Sequence, residues 1–260
     1  MKNKILLTND DGINSSGLRI VYDILKDKYD ITIIAPDCER SGAGHSFTYN
    51  KPLYIKKIEN GYTENFYSVT GSPVDCVKIG ITTILDQIPE FIISGINSGE
   101  NSGISSHYSG TIAAAREGSF YNIKSYAFSI SEDGVQYCTE YAEKIPTIIE
   151  LLKKFKTCLF NINFPNCDPL SFKGIKITRQ SNAFFKDYYK KEKLYNTDIN
   201  KRGYLIYGKK FNIENDDEFD SRALLNGWIT ITPMTSDSTA YNEIFKLKEV
   251  EKFFKGNNNE

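Results

Sequence analysis

The 260-residue chain holds only two histidines, His45 and His107. Its five cysteines, Cys38, Cys76, Cys138, Cys158 and Cys167, are odd in number and never spaced C-x-x-C. So few imidazoles exclude a histidine-based zinc centre, and neither histidine has the spacing of a metalloprotease helix. The cysteines read as reduced thiols of a cytosolic protein rather than a disulfide framework. An excess of one charge is also missing, because 32 basic residues stand against 33 acidic ones for a net charge of −1. No global field therefore draws the chain to a nucleic-acid polymer or an anionic membrane, and neither is expected as an obligate partner. Near the start, Ile5-Leu6-Leu7 gives way at once to Thr8-Asn9-Asp10-Asp11, too short a run for a signal-peptide core or a membrane span, so a cytoplasmic location is expected. Internal repeats are absent as well.

What is present is an ordinary globular composition, 40% hydrophobic and 25% charged, long enough to bury a large core. Short Ile/Val/Leu runs alternate with stretches of helical spacing, which predicts an α/β fold with a mostly parallel sheet and crossover helices. The predicted strands are Ile5 to Thr8, Ile31 to Ala35, Phe91 to Ser94, Lys124 to Ile130, Cys158 to Ile162 and Trp228 to Pro233, with a hairpin or edge strands at Leu53 to Ile58 and Phe66 to Thr70. Predicted helices follow Leu18, run from Val74 to Leu85 after the Ser72-Pro73 start signal, cover Ser109 to Phe120 and Tyr137 to Lys154, and end the chain at Glu243 to Phe254 before a frayed tail. We read a single domain over residues 1–260, with a core over 1–165 and an appended part over 166–260. In that part the stretch from Ala183 to Phe211 predicts projecting hairpins. Eight basic and three acidic residues between Lys186 and Lys210 are offset by five acidic residues between Phe211 and Asp220, so an oligomerisation arm fits better than a nucleic-acid arm.

In open parallel sheets ligands bind beyond the carboxyl ends of the strands, so the loops there carry the functional argument. Asn9-Asp10-Asp11-Gly12 follows the first strand. Adjacent carboxylates repel by about 1 kcal/mol at 4 Å in water and about 4 kcal/mol at an effective dielectric of 20, which calls for compensation. A hard divalent ion such as Mg2+ or Mn2+ would supply it, with oxygen ligands available from Asp10, Asp11, the Ser41 hydroxyl and the Asn97 amide. The same tetrapeptide is also good turn chemistry. The second loop, Asp37 to Gly44, has glycines that let a ligand approach the backbone, and Arg40 to meet an anion; a plain surface loop explains it equally. In the third, Gly95 to Gly103, glycines alternate with Asn97, Ser98, Asn101 and Ser102. Ser109-Gly110-Thr111 then opens a helix whose free N–H groups favour an anion, although Ser109 also suits a simple cap. His45 or His107 could donate a proton to a leaving oxygen.

Together these pieces resemble the SurE family, the survival protein E nucleotidases. The resemblance runs in order through Leu7-Thr-Asn-Asp-Asp-Gly12, Ala35-Pro36 with Arg40-Ser41-Gly42, Thr70-Gly-Ser-Pro-Val-Asp-Cys76, Ser94-Gly-Ile-Asn97-Ser-Gly-Glu-Asn101-Ser-Gly103, Tyr108-Ser-Gly-Thr-Ile-Ala-Ala114 and Ile229-Thr-Ile-Thr-Pro233. It implies a Rossmann-like three-layer core with carboxyl-terminal hairpin and helix arms exchanged between subunits of a homodimer or homotetramer. It also implies hydrolysis of nucleoside 5′- and 3′-monophosphates, with one divalent ion per subunit held by Asp10, Asp11, Ser41 and Asn97. Asn9, Gly42, Asn101, Ser109, Gly110 and Thr111 fall where substrate would bind, and His107 is the candidate proton donor. Asp10 or Asp11 would orient a water as the catalytic group. A phospho-aspartate is not expected, because the D-x-D spacing is absent. A non-catalytic nucleotide-binding module is the alternative. A phosphorylation-dependent receiver fits less well, because the position after the later strand is Asn97, which cannot accept a phosphoryl group.

Overall fold

The first strand, β1 (Asn3–Thr8), sets the architecture through its alternation. Ile5 and Leu7 face one hydrophobic cluster and Leu6 the other, and all three are fully buried. A strand buried on both faces needs covering layers on both sides, and each such side chain contributes about 1.5–3 kcal/mol on burial. The structure, a computed structural model, describes residues 2–59, 63–192 and 202–256. Within them β2 (Tyr29–Pro36), β4 (Phe66–Val69), β5 (Phe91–Ser98), β6 (Lys124–Ile130) and β7 (Leu159–Phe164) run parallel to β1 in the order β4-β2-β1-β5-β6-β7. That is the doubly wound order, reversing between β1 and β5. The short β3 (Ile55–Lys57) pairs antiparallel to β4 at one edge. At the other edge β11 (Ile229–Met234) pairs antiparallel to β7, and β8 (Ile175–Ile177) pairs parallel to β11, so nine strands form one sheet.

One face is covered by α1 (Ser16–Leu25), α4 (Cys138–Ala142) and α5 (Ile145–Leu152), which bring Leu18, Val21, Leu25, Tyr141, Ile145 and Ile149 into the larger cluster. The other carries α2 (Pro73–Ile79) and α3 (Gly110–Phe120), with Cys76, Val77 and Ala114 against Leu6, Ile34 and Ile92. Ser72 caps α2 in a reciprocal capping box with Asp75, and Pro73 occupies the first turn, as the sequence signal predicts. This is the expected three-layer α/β core. The paired ribbon β9 (Phe184–Glu192) and β10 (Gly203–Phe211) projects from it as a separate two-stranded sheet, and α7 (Tyr241–Gly256) ends the described chain.

Four expectations are corrected. The helix expected over Val74 to Leu85 ends at Ile79 and continues through Gly80 to Ile84 as a wider turn. The long helix over Tyr137 to Lys154 is broken into a 3-10 turn (Glu132–Tyr137), α4 and α5, because Pro146 has no N–H to extend the preceding turn and instead serves the first turn of α5. Strand β5 runs four residues past Ser94, re-pairing with β6 beyond an irregularity between Ser94 and Asn97. Both β8 and α6 (Asp220–Leu225) are too short to show a period in sequence. The terminal helix begins two residues earlier and ends two later than expected, and residues 257–260 of the expected tail lie outside the described part. All five cysteines are free. Among the described residues no helix is long and apolar enough to cross a membrane.

The start of α1 lies so close to β5 that a Cβ on Gly17 would strike the Ile96 carbonyl oxygen. Helix propensity alone makes Gly17→Ala stabilising by up to about 1 kcal/mol. The backbone contact reverses the sign, and Gly17→Ala should lower stability by about 1–3 kcal/mol in urea unfolding, with an unchanged slope.

Candidate metal and phosphate site

At the reversal between β1 and β5, three strand ends deliver their loops to one place. Asn9 clamps the first turn, donating from its amide nitrogen to the Gly12 carbonyl (3.0 Å) and to the Ser15 hydroxyl (2.6 Å), and Ser15 in turn caps α1. The loop after β2 is tied down where the Arg40 N–H donates to the Asp10 carbonyl at 2.7 Å. It is then tied to the turn just before α3, where the Gly44 N–H donates to the Tyr108 carbonyl at 2.9 Å. Asp10 is 4% exposed, and the Thr111 hydroxyl donates to its Oδ1 at 2.5 Å. Helix α3 can come this near only because residue 110 is glycine: a Cβ there would stand 2.8 Å from the Asp10 Cβ and 2.9 Å from its Oδ2. Ser109 caps α3, accepting the Ile112 N–H at 3.1 Å. The first turn of α3 thus points its N–H groups and positive dipole end at the aspartate.

Burial holds the Asp10 carboxyl above its ordinary pKa, against the opposing Thr111 hydrogen bonds. Asp11 is pushed up to about 6 by burial first, then by the charges of Asp10 and Glu39, with the Ser98 N–H opposing. Three acidic groups therefore crowd one spot.

Asp10, Ser41, Gly42, Asn97, Asn101 and Ser109 line a single cleft of about 640 Å3, as their sequence positions predict. Asn9, Asp11, Gly110 and Thr111 are not among its lining residues; they stand next to Asp10, with Asp11 part-buried. His107 is also outside the lining: its imidazole contacts the Gln180 amide at 3.1 Å. His45 is engaged elsewhere, its Nε2 lying 3.0 Å from buried Glu117, which Lys78 also meets at 2.9 Å. Burial raises Glu117, yet His45 and Lys78 outweigh it and hold the carboxyl below its usual range.

Several positioning residues were not found from sequence. The Asn101 N–H donates to Asn163 (2.8 Å), its carbonyl accepts from Asn161 (2.8 Å), and its side-chain amide donates to Ser129 (2.8 Å). The available signal was two buried asparagines alternating in an otherwise apolar strand, Leu159-Phe-Asn-Ile-Asn-Phe164. Asp220 is fully buried at the start of α6 and accepts the N–H groups of Gly103 (3.0 Å), Ser181 (2.9 Å) and Ser221 (2.7 Å), fixing the end of the third loop. Glu39 accepts the Ser41 hydroxyl at 2.7 Å and adds to the acidic cluster.

The residues fit a hard divalent ion. Asn97 donates its amide nitrogen to Gly99 (2.7 Å), which leaves its oxygen for a ligand, and Asn9 Oδ1 is buried beside Asp10 with no partner among the described residues. The donors are all oxygens, two of them carboxylates. Among the described residues no group of three or more His, Cys, Asp or Glu forms a metal cluster, so a cation here would depend on neutral oxygens as well.

Residues 5–187 match the model of the family described as survival protein SurE. The chain belongs to the SurE family. A relative from Thermoanaerobacter sp. (strain X514), named 5′-nucleotidase SurE, is 38% identical over 245 residues, 93% of this chain and 95% of its own. One of the same name from Kosmotoga olearia is 35% identical over 248 residues, 94% of this chain and 97% of its own. The crystal structure of the SurE protein from Aquifex aeolicus superposes with a TM-score of 0.76 at 34% identity, covering 95% of this chain and 99% of that one. The SurE likeness therefore extends past the matched segment into the ribbon and the last strand.

The crowded carboxylates give a stability prediction for the metal-free SurE fold. Asp11, with its folded pKa raised, binds protons more tightly folded than unfolded, so stability falls as pH rises from about 4 to about 6 and stays low above. In chelator, Asp11→Asn should raise stability by about 1–3 kcal/mol at pH 7.5 and by nothing measurable near pH 4, read from urea melts at both pH values.

Proposed function

We propose that this chain is a divalent-metal-dependent phosphomonoesterase that hydrolyses nucleoside 5′- and 3′-monophosphates to nucleoside and phosphate. The observation that carries the reading is the close approach of the α3 N-terminus, through Gly110 and Thr111, to Asp10 at the strand reversal. An anion-binding helix end and the carboxylate of a cation-binding pair then meet at one cleft. Relatives bearing the name 5′-nucleotidase SurE across nearly the whole chain support the same reading.

Asp10, Asp11, Ser41 and Asn97 would hold one Mg2+ or Mn2+ ion. When bound, the ion supplies positive charge at the phosphoryl oxygens and acidifies a nearby water. The positive end of the α3 dipole, with Ser109 and Asn101, receives the phosphate and keeps it in line for attack. Gly42 lets the second loop close over it without a side chain. Asp10 or Asp11 orients the attacking water, and with both aspartates engaged in this way no phospho-enzyme forms. His107 protonates the leaving oxygen only if it leaves Gln180. The exposed rings and aliphatic side chains of the ribbon, including Tyr189, Tyr204 and Ile206, together with Phe245 and Leu247 of α7, form the contact between subunits of a homodimer or homotetramer.

Two experiments test this. Metal-stripped protein should release no phosphate from 5′-AMP or 3′-AMP and regain release with Mg2+ or Mn2+, while Asp10→Asn and Asn97→Ala should lose about 100-fold or more in kcat/KM. Bound nucleotide without release under any metal would replace the enzyme with a binding module. Sedimentation at micromolar concentration should give a dimer or tetramer, and a monomer would refute the assigned contact surface.

A further inference from the structure

The cleft is larger than a phosphate needs, and its outer half is built differently from its inner half. At the strand ends it is lined by Asp10, Ser41, Asn97, Asn101 and Ser109, with Glu100 held by Lys210; the outer wall, from the turn before α3 and the projecting ribbon, is lined by Ile104, Tyr108, Phe184, Phe185 and Asp187. A volume of about 640 Å3 falls within the range of about 300–1,000 Å3 typical of sites for whole organic ligands.

The outer wall comes from β9, whose root is hydrogen-bonded to the third loop where the Ile104 N–H donates to the Ala183 carbonyl at 2.8 Å. The pairing places Phe185 opposite Lys210 and Asp187 opposite Gly208, so these four share one face of the ribbon. Lys210 fixes which way that face looks: its ammonium reaches Glu100 and the Ser102 hydroxyl, each at 2.5 Å, in the third loop. Gly208 leaves space for the Asp187 carboxylate, which a Cβ at that position would strike. The opposite face spends its rings on itself, Phe184 packing edge-on to Phe211 at 5.8 Å and Tyr188 stacking on Tyr207 at 6.0 Å. Phe185 and Tyr108 have no ring partner among the described residues, are 46% and 65% exposed, and line the cleft from two different elements.

We propose that Tyr108 and Phe185 form a nucleobase subsite, and this rests on the nucleotidase reading above. Two unpartnered rings bordering one cleft suit a flat aromatic ligand, which every base can supply, so the subsite selects nucleotides over aliphatic phosphomonoesters without strong preference among bases. Orientation follows from charge once the proposed ion balances Asp10 and Asp11. The α3 N-terminus then favours the phosphate at the strand ends, and the Asp187 carboxylate disfavours it on the ribbon side, leaving that end to the base.

The test compares 5′-AMP with ribose 5-phosphate, which carries the same phosphate and sugar and no base, and measures adenosine binding separately by calorimetry. For Tyr108→Ala and Phe185→Ala the ratio of kcat/KM for 5′-AMP over ribose 5-phosphate should fall about 5- to 150-fold, through KM rather than kcat, with adenosine affinity falling in parallel. Phe185→Tyr, which keeps a ring, should restore both, and unchanged thermal unfolding shows that the alanine variants are folded. An unchanged ratio with unchanged adenosine affinity overturns the subsite, as does an equal loss on both substrates. If no phosphomonoester is turned over with any metal, the phosphatase reading fails, and adenosine affinity alone then decides the subsite: weaker binding in both variants sustains it, and equal binding removes it.

Discussion

Everything at the site depends on one close contact, the first turn of α3 against the buried Asp10 carboxylate. A carboxylate 4% exposed beside a second acid is costly to leave unbalanced, and the protein answers with a hydroxyl donor from Thr111 and the dipole of an eleven-residue helix. The contact requires glycine at 110 and a cap at 109, and it requires β1 and β5 to stand side by side at the sheet's reversal. Each requirement belongs to a different level of the fold, from one missing Cβ to the strand order. The balance is incomplete without a cation, which is why the proposed metal belongs to the electrostatics of the site as much as to its chemistry.

The loops around this contact are not free to choose their positions. The second loop is held by the Asp10 carbonyl and by Tyr108, and the third by Asn161, Asn163 and Asp220, so side chains from distant strands fix the main chain of residues that line the cleft. Buried amides bonded to one another and to the main chain position their neighbours more tightly than apolar packing does, because any shift leaves a polar group unpaired. Lys210 extends this arrangement to the ribbon, and the aromatic wall proposed for the base thereby acquires a fixed relation to the phosphate end.

Much of this was legible in the chain. Strands buried on both faces announce themselves as unbroken apolar runs, and the Ser72-Pro73 and Ser109 caps mark helix starts through local chemistry alone, so a mostly parallel sheet with crossover helices is legible directly, while the three-layer core is what the SurE resemblance implies. Asp10, Ser41, Asn97, Asn101 and Ser109 were found because a parallel sheet gathers its strand-end loops at one place. The rest depends on contacts between residues far apart in sequence. Nothing local distinguishes Asp220 as a buried acceptor for Gly103, or Asn163 as the partner of Asn101 sixty-two positions away. The break before α5 follows from Pro146, although the apolar period continues across it. His107 lies in a strand-end loop, and a place in a loop does not fix where a side chain turns, here toward Gln180.

The alternation in β1 has a consequence for how such a chain can vary in length. Ile5 and Leu7 belong to one core and Leu6 to the other, and Asp10 follows three positions later. A residue inserted or deleted between them would exchange the two faces of the strand or swing the carboxylate away from α3, since a period of two tolerates no odd step. The frame from β1 to its turn is therefore closed to insertions and deletions, whatever side chains it accepts. Growth or shrinkage has to occur where no such parity applies, as in the exposed turn around Leu170 between β7 and β8.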